Sequence, residues 1–462
     1  MKKIRRKDNP KIVILGAGPC GLGAAWRLKE LGYDNFQVFE KNPYPGGLAA
    51  SFKDEKGFTW DIGGHVEFSH YEYYDRVFET LLKEDQLKHE RESWIYLKER
   101  FVPYPFQYHI RYLPKEDIWR CLQGLMRSQE KHAKKPRNFK EWILGTFGNG
   151  MAELFLLPHN EKVWAYPLEK MSYEWIGERV ALLDFQRVLE NIILEKDDRA
   201  WGPNNTFRYP LRGGTGEVWR RLHERVKEKV LLGYKAEKIY TKKKYIEFQN
   251  GRKEEYDVLL NTIPLDVFRA VSDLPNKAPL THLVSSAIHI VGIGLEGFLP
   301  KGLNTKCWIY FPEDAYLFSR VTVLSRYSPF NVPDANRYWS LMAEVTESSY
   351  RKISHQTVTK GVVEGMKHAK LIDKGTPVVD IWHHYEPHGY PTPSLNRPKA
   401  LRVLPLLETF DIYSRGRFGA WKYEVSNQDH TFMQGVELIN RLLLGEKETT
   451  VWHPEIVNNK KR

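Results

Sequence analysis

The chain has 462 residues, 42% of them hydrophobic, and 70 Lys plus Arg against 58 Asp plus Glu give a net charge of +12. That length suits two or three domains, and the apolar share supports a packed core, which excludes a disordered chain. No apolar run approaches the roughly 18–20 residues of a membrane-spanning helix, and three scattered cysteines (Cys20, Cys121, Cys307) exclude a disulfide framework and a cysteine zinc site. A reducing, cytoplasmic compartment is expected. The charge, with 14 Trp, 25 Tyr and 22 Phe, raises the possibility of nucleic-acid binding. No stripe of Lys and Arg interleaved with aromatics supports it. Residues 1–10 carry +4 and residues 460–462 add +3, leaving +5 for the rest.

The basic N-terminus precedes only a five-residue stretch, Lys11 to Leu15, of which four residues are apolar, too few for a signal peptide. They read as a first strand. Gly16-Ala-Gly18-Pro-Cys-Gly21 follows, then a Leu/Ala-rich helix ending at Gly32, then the strand Phe36–Phe39 closed by Glu40. Mainly helical patterns span 71–84, 115–130, 138–147, 149–157 and 174–196. Residues 213–229 read as a turn into a helix. Strands are expected at 230–232, 237–240, 245–248 and 258–261, with further β-rich runs through 284–346. A helix near 355–370, a Pro-rich segment at 386–398 and a helix at 431–443 complete the chain.

GxGxxG alone is weak, but here a strand precedes it, a helix follows it, and an acid lies 19 residues beyond Gly21. Such glycines permit a tight turn and close backbone approach to a pyrophosphate, while the helix N-terminus supplies N–H groups and positive dipole. Gly16, Gly18 and Gly21 are thus cofactor candidates, with Glu40 for the ribose hydroxyls. The next segment, Gly46-Gly47-Leu48, and Asp61-Ile-Gly63-Gly64-His65 resemble the FAD-binding fold of glutathione-reductase-type and amine-oxidase-type flavoproteins.

Beyond that point the likeness narrows. Gly63-Gly-His65-Val-Glu-Phe-Ser-His70-Tyr71, Val102-Pro-Tyr104-Pro-Phe106-Gln107, Asn160-Glu-Lys-Val-Trp164-Ala and Gly177-Glu-Arg179-Val resemble, in order, the eukaryotic-type UDP-galactopyranose mutases. So do Trp201-Gly-Pro-Asn204, Arg212-Gly-Gly-Thr-Gly216, Cys307-Trp-Ile-Tyr310, His388-Gly-Tyr390-Pro, Ser414-Arg-Gly-Arg417 and Tyr423-Glu-Val-Ser-Asn427-Gln428. The resemblance runs from about 11 to 445. It implies interconversion of UDP-galactopyranose and UDP-galactofuranose without net redox change. N5 of reduced FAD acts as the nucleophile at the anomeric carbon, and NADPH or NADH is the reductant.

The same resemblance assigns residues. Arg179 and Arg320 meet the departing UDP, a role that suits the bidentate guanidinium. Tyr310, Tyr390 and Tyr423 offer phenolic donors to the pyrophosphate. Tyr104, Phe106 and Gln107 hold uridine, and a flat uracil favours an aromatic partner. Arg91, Asn160, Trp164 and Asn204 line the sugar and flavin side, and His65 is the loop histidine beside the flavin. Gly47, Leu48, Gly64, Arg415, Arg417, Asn427 and Gln428 contact the cofactor, with one of the two arginines on its pyrophosphate. Metal ligands are not expected. Ser426 stands where the family usually has Gly, and the stretch near 330–340 is shorter than usual.

The expected fold is α/β. A Rossmann-like FAD-binding domain (10–84, 205–275 and 410–445) carries an inserted helical domain (110–200) and a mixed or antiparallel β-sheet domain (85–109 and 276–409). Basic tails at 1–9 and 446–462 flank them. Partners are the two UDP-sugars and possible further copies of the chain. Competing readings are an amine-oxidase-like oxidoreductase, which consumes oxygen with its substrate, and a mutase for another nucleotide sugar.

Overall fold

The computed structural model describes residues 9–130, 135–177, 180–198, 205–274 and 282–458. The all-apolar strand Ile12–Leu15 sits at the centre of a five-stranded parallel sheet. Its neighbours are Phe36–Glu40, then Val230–Leu232, on one side, and Val258–Asn261, then Ile412–Ser414, on the other. A strand buried on both faces needs apolar residues throughout, as all four here are. Helices Pro19–Glu30 and Gln428–Leu444 pack on one face. Close approach depends on small residues: a Cβ on Gly435 would collide with the Cys20 carbonyl. A three-stranded antiparallel sheet, Ala236–Tyr240, Tyr245–Phe248 and Lys253–Glu255, covers the other side.

The second large unit is a seven-stranded sheet. Its order is Val378–Pro391, Ser285–Glu296, Tyr338–Glu347, Arg320–Thr322, Trp308–Tyr310, Ser93–Leu97, Arg100–Pro103. All its pairs are antiparallel except Trp308–Tyr310 with Ser93–Leu97. The helices Lys115–Glu130, Phe139–Met151, Leu157–Trp164 and Phe185–Ile193 gather around a separate aromatic-rich core. The α/β architecture with parallel, antiparallel and helical parts matches the expected class.

Three local expectations give way. The helix expected over 174–196 shortens to Phe185–Ile193, because Asp184 caps it, accepting from the Gln186 and Arg187 N–H groups at 3.0 and 3.3 Å. The break between 147 and 149 is real, with Gly148 at φ +70°, but a π-turn over Ala152–Leu156 then carries the helical path on to Trp164. Residues 446–458 are not a tail. Glu448 is buried against Arg415, Val451 and Val457 are buried, and Pro454–Asn458 is a short helix. Residues 1–8 and 459–462 of the expected tails lie outside the described residues.

Candidate active site

Two glycine turns meet at the C-terminal ends of the parallel strands. Gly16 takes φ +104°, and a Cβ on Gly21 would collide with the Gly16 carbonyl. The first turn is therefore closed to any larger residue. Gly46 (φ +103°) donates its N–H to the Ala17 carbonyl at 2.8 Å, and a Cβ at Gly47 (φ +54°) would stand 3.4 Å from the Gly18 Cα. Leu48 packs behind, between two cores. At Gly18 itself nothing comes nearer to a Cβ than the Gly46 carbonyl at 3.9 Å. The turns form a backbone cradle that admits a close ligand at the helix N-terminus. Glu40 is buried, with one oxygen accepting from Ala17 N–H at 2.8 Å and the other from Asn42 N–H at 2.9 Å. Burial pushes its carboxyl up, and the backbone donors oppose that. Further acceptor capacity remains on the carboxylate.

The cleft's central charge is Arg320. Its strand Arg320–Thr322 lies between Trp308–Tyr310 and Tyr338–Glu347, so Arg320 faces Tyr310 on one side and Glu344 on the other. Nε donates to Glu344 Oε1 at 2.9 Å and Nη2 to the same oxygen. Nη1 has no protein partner among the described residues. Burial opposes the charge, but Glu344 and the neighbouring tyrosines hold the guanidinium above its ordinary range, so it is a permanent cation. Glu344 Oε1 also accepts the Gly64 N–H at 2.8 Å, which ties the His65 loop to the arginine. A Cβ on Gly64 would collide with Thr322 Oγ1 at 2.6 Å and stand 3.3 Å from the guanidinium, so glycine lets the loop pass this close.

His65 follows directly. Burial, with Arg320 and Arg417 adding to it and Glu344 opposing, pushes its imidazole down to about 4. The ring is neutral at neutral pH, and its buried Nδ1 has no partner among the described residues. Tyr390 reaches Glu344 Oε2 at 3.4 Å, and Arg417 lies 5.3 Å over the Tyr390 ring. Tyr423 and Trp164 pack edge to face at 4.7 Å, with Tyr390 at 5.9 Å from Trp164. On the opposite wall Tyr104 stands 5.5 Å from Tyr310, and Arg91 lies 5.9 Å over the Tyr104 ring. Phe106 is fully buried and stacks on Phe155 at 4.9 Å. Gln107 donates to the Ala181 carbonyl at 2.7 Å, and Asn160 donates to the Leu156 carbonyl at 2.7 Å.

Cations, tyrosines and the histidine thus converge, but the two expected arginines of the C-terminal segment part company. Arg415 is fully buried. It donates to both oxygens of Glu448 at 2.6 and 2.8 Å, to Glu408 at 2.7 Å and to the Ser414 carbonyl at 2.9 Å. Arg417 instead donates to Ser426 Oγ at 2.9 Å and to the Gly389 carbonyl at 2.8 Å, next to Tyr390. Ser426, the departure from the family pattern, also donates to the Tyr423 carbonyl at 2.9 Å, so it links Arg417 to Tyr423. Asn427 is the N-cap residue of Gln428–Leu444, and Gln428 accepts the Trp219 indole N–H at 2.6 Å. Arg179 and Asn204 lie outside the described residues.

Three further residues stand out, one of them, Glu67, inside the Gly63–Tyr71 motif but given no role there. Glu344 is one acid in a β-rich run, and only the strand register puts it opposite Arg320. His159, one residue before Asn160, stacks on Phe155 and meets Tyr310 at 4.9 Å each. Burial, with Lys162 and Arg320 adding to it, pushes its ring down to about 3. Glu67 is buried, accepts the Tyr74 hydroxyl at 2.7 Å, and leaves Oε1 without a partner among the described residues.

Comparison with known proteins agrees with this geometry. Residues 19–330 match the model of the flavin containing amine oxidoreductases. A crystal structure of a reduced UDP-galactopyranose mutase is 46% identical and covers 98% of both chains, with a TM-score of 0.95. The chain belongs to the UDP-galactopyranose mutases. Membership makes it an enzyme of the intramolecular transferase class. A putative protoporphyrinogen oxidase from Exiguobacterium sp. 255-15 shares the fold at a TM-score of 0.72 but is 17% identical, over 95% of this chain and 99% of that one. Among curated proteins, a zeta-carotene-forming phytoene desaturase of Myxococcus xanthus is 51% identical over 53 residues, 12% of this chain and 10% of that protein. The chain therefore spans only a small part of that relative's length.

Proposed function

We propose that the protein interconverts UDP-galactopyranose and UDP-galactofuranose with reduced FAD, leaving no net redox change. The observation that carries this reading is a partly buried, permanently charged arginine with an unspent Nη1 donor, set among Tyr310, Tyr390 and the His65 loop. An oxidase acting on an uncharged amine has no need of it.

The residues present fit FAD. The paired glycine turns admit a pyrophosphate, Glu40 keeps acceptor capacity for a ribose, and the buried His65 Nδ1, without a partner among the described residues, is an orphan that a polar ring edge would satisfy. When bound and reduced, by NADPH or NADH, the flavin supplies N5 as a nucleophile for the anomeric carbon. Arg320 holds the UDP diphosphate as the glycosidic bond breaks, and keeps it for return. Glu344 fixes the guanidinium by two bonds to one oxygen, so little reorganisation is needed as charge develops. Arg179 is proposed as the second diphosphate cation. Tyr310, Tyr390 and Tyr423 add neutral donors, and burial raises the hydroxyls of Tyr310 and Tyr390 above their usual range, which keeps them protonated. Tyr104, Phe106 and Gln107 take the uridine, while Arg91, Asn160, Trp164 and Asn204 take the sugar side. Because Arg415 is consumed by Glu448 and Glu408, we assign the cofactor-side role to Arg417, with Asn427, Gln428, Gly64 and Leu48 as further contacts.

No helix among the described residues is long and apolar enough to cross a membrane. All three cysteines are buried and unbridged, which supports a reducing, cytoplasmic setting. The test is direct. Reduced, FAD-loaded protein is incubated with UDP-galactofuranose and the products are separated by chromatography. UDP-galactopyranose should accumulate without stoichiometric loss of reductant. Absence of conversion with FAD bound and reduced would sink the assignment.

A further inference from the structure

A second constellation sits on the same large sheet, away from the cleft. Glu344 and Glu347 share the strand Tyr338–Glu347, whose pairing register is unbroken. Three residues apart on a strand, they point to opposite faces. On the face away from Arg320, Glu347 Oε2 is approached by two imidazoles: His289 Nε2 at 3.1 Å and His355 Nε2 at 2.9 Å. His289 comes from the strand Ser285–Glu296 and is fully buried, while His355 comes from the turn before helix Val358–His368 and is half exposed. Behind them His383, on the strand Val378–Pro391, sets its Nε2 3.0 Å from His289 Nδ1. The Tyr385 ring closes the side, 4.8 Å from His289 and 4.6 Å from His355.

We propose that His289, Glu347 and His355 form a binding site for a divalent transition metal of the Zn2+ type, with His383 orienting His289 from behind. The three candidate ligand atoms lie within 4.8 Å of one another. Tetrahedral zinc with N and O ligands at about 2.0–2.1 Å has ligand-to-ligand edges of about 3.3 Å. The observed 2.9 and 3.1 Å edges need an expansion of only a few tenths of an ångström. Two imidazoles and one carboxylate are a zinc donor set, and the half-exposed side leaves a fourth position for water. His383 completes the arrangement as an outer partner that fixes which His289 nitrogen faces the metal. The metal would pin the His355 turn to the sheet. Because it lies on the opposite face from Arg320, it takes no part in the proposed mutase chemistry.

The test uses FAD-loaded full-length protein, stripped of metal by chelator and titrated with Zn2+ calorimetrically and with Co2+ by visible absorption. One molar equivalent should bind, with a tetrahedral Co2+ spectrum. Glu347→Gln and His355→Ala should each weaken binding by at least about 100-fold, and His383→Ala by about 10–100-fold, the range for an outer partner. His355→Ala changes a half-exposed side chain, so its fold is secure even if the Glu347 variant is unstable. Mutase turnover should be equal with and without metal. Absence of uptake in excess Zn2+ would overturn the proposal. Uptake unchanged by both ligand variants would also overturn it and place the ion elsewhere, as at the buried His70, Asp429 and His430 group.

Discussion

Two arginine–glutamate pairs in this molecule look alike in sequence and differ in structure. Arg415 spends its donors on Glu448, Glu408 and its neighbour's carbonyl, and Arg441 closes the same network on both acids. Arg320 touches a single oxygen of Glu344 and leaves Nη1 without a protein partner among the described residues. A saturated buried ion pair is architecture; an unsaturated one lining a cleft is a binding device. The distinction comes from counting donors against acceptors, since both guanidinium groups are held charged.

The largest effect should come from breaking the saturated pair. Arg415→Ala leaves Glu448 buried without its partner, a change that costs about 3–5 kcal/mol. The melting temperature should fall steeply, while the molecules that remain folded and FAD-loaded keep near-normal turnover. Loss of turnover at full FAD occupancy and unchanged melting would show that the two arginines have been assigned the wrong way round. Next, Arg320→Ala should lower kcat by about 10²–10³-fold, the scale of one preorganised donor lost, with FAD content little changed and the melting temperature lowered, because buried Glu344 loses its cation.

A third change sharpens the same donor arithmetic with an acid that lacks a cation. Burial, with Asp429 adding to it and the Tyr74 hydroxyl and Arg208 opposing, pushes the Glu67 carboxyl up from 4.5 to about 7. A carboxyl raised on folding favours the native state while protonated. Its contribution is fully present below about 4.5 and is lost as pH rises through about 7. Glu67→Gln should remove that pH dependence, worth roughly 3 kcal/mol at 1.36 kcal/mol per unit. Denaturation curves on either side of this window check it, and an unchanged slope would contradict it. The smallest effect is expected from Tyr390→Phe, which removes one neutral hydroxyl and should cost about 0.5–1.5 kcal/mol of UDP affinity by titration. A larger loss would mean the tyrosine carries more of the anion than Arg320 leaves to it.

The pattern of what was legible follows from range. Gly16, Gly18, Gly21 and Glu40 declared a dinucleotide cradle because strand, turn, helix and acid lie within 30 residues and their periodicities are local. Arg320 could be selected only through the family resemblance, since a lone arginine in a β-rich run reads equally well as surface. Glu344 was invisible, because its partner lies 24 residues away and only the antiparallel register joins them. His159 was hidden for a different reason: it sits just beyond the π-turn Ala152–Leu156, which shifts the phase of the helix in a way a 3.6-residue pattern does not follow. The segment 446–458 looked like a tail because its acid, Glu448, has its partner 33 residues earlier.

The most direct measurement compares wild type with Arg320→Ala, each dithionite-reduced and with FAD occupancy determined, for conversion of UDP-galactofuranose to UDP-galactopyranose by chromatography. The account predicts rapid conversion by the wild type and a rate lower by about 10²–10³-fold in the variant at equal FAD content. Equal rates, or no product from the reduced wild type, would contradict it.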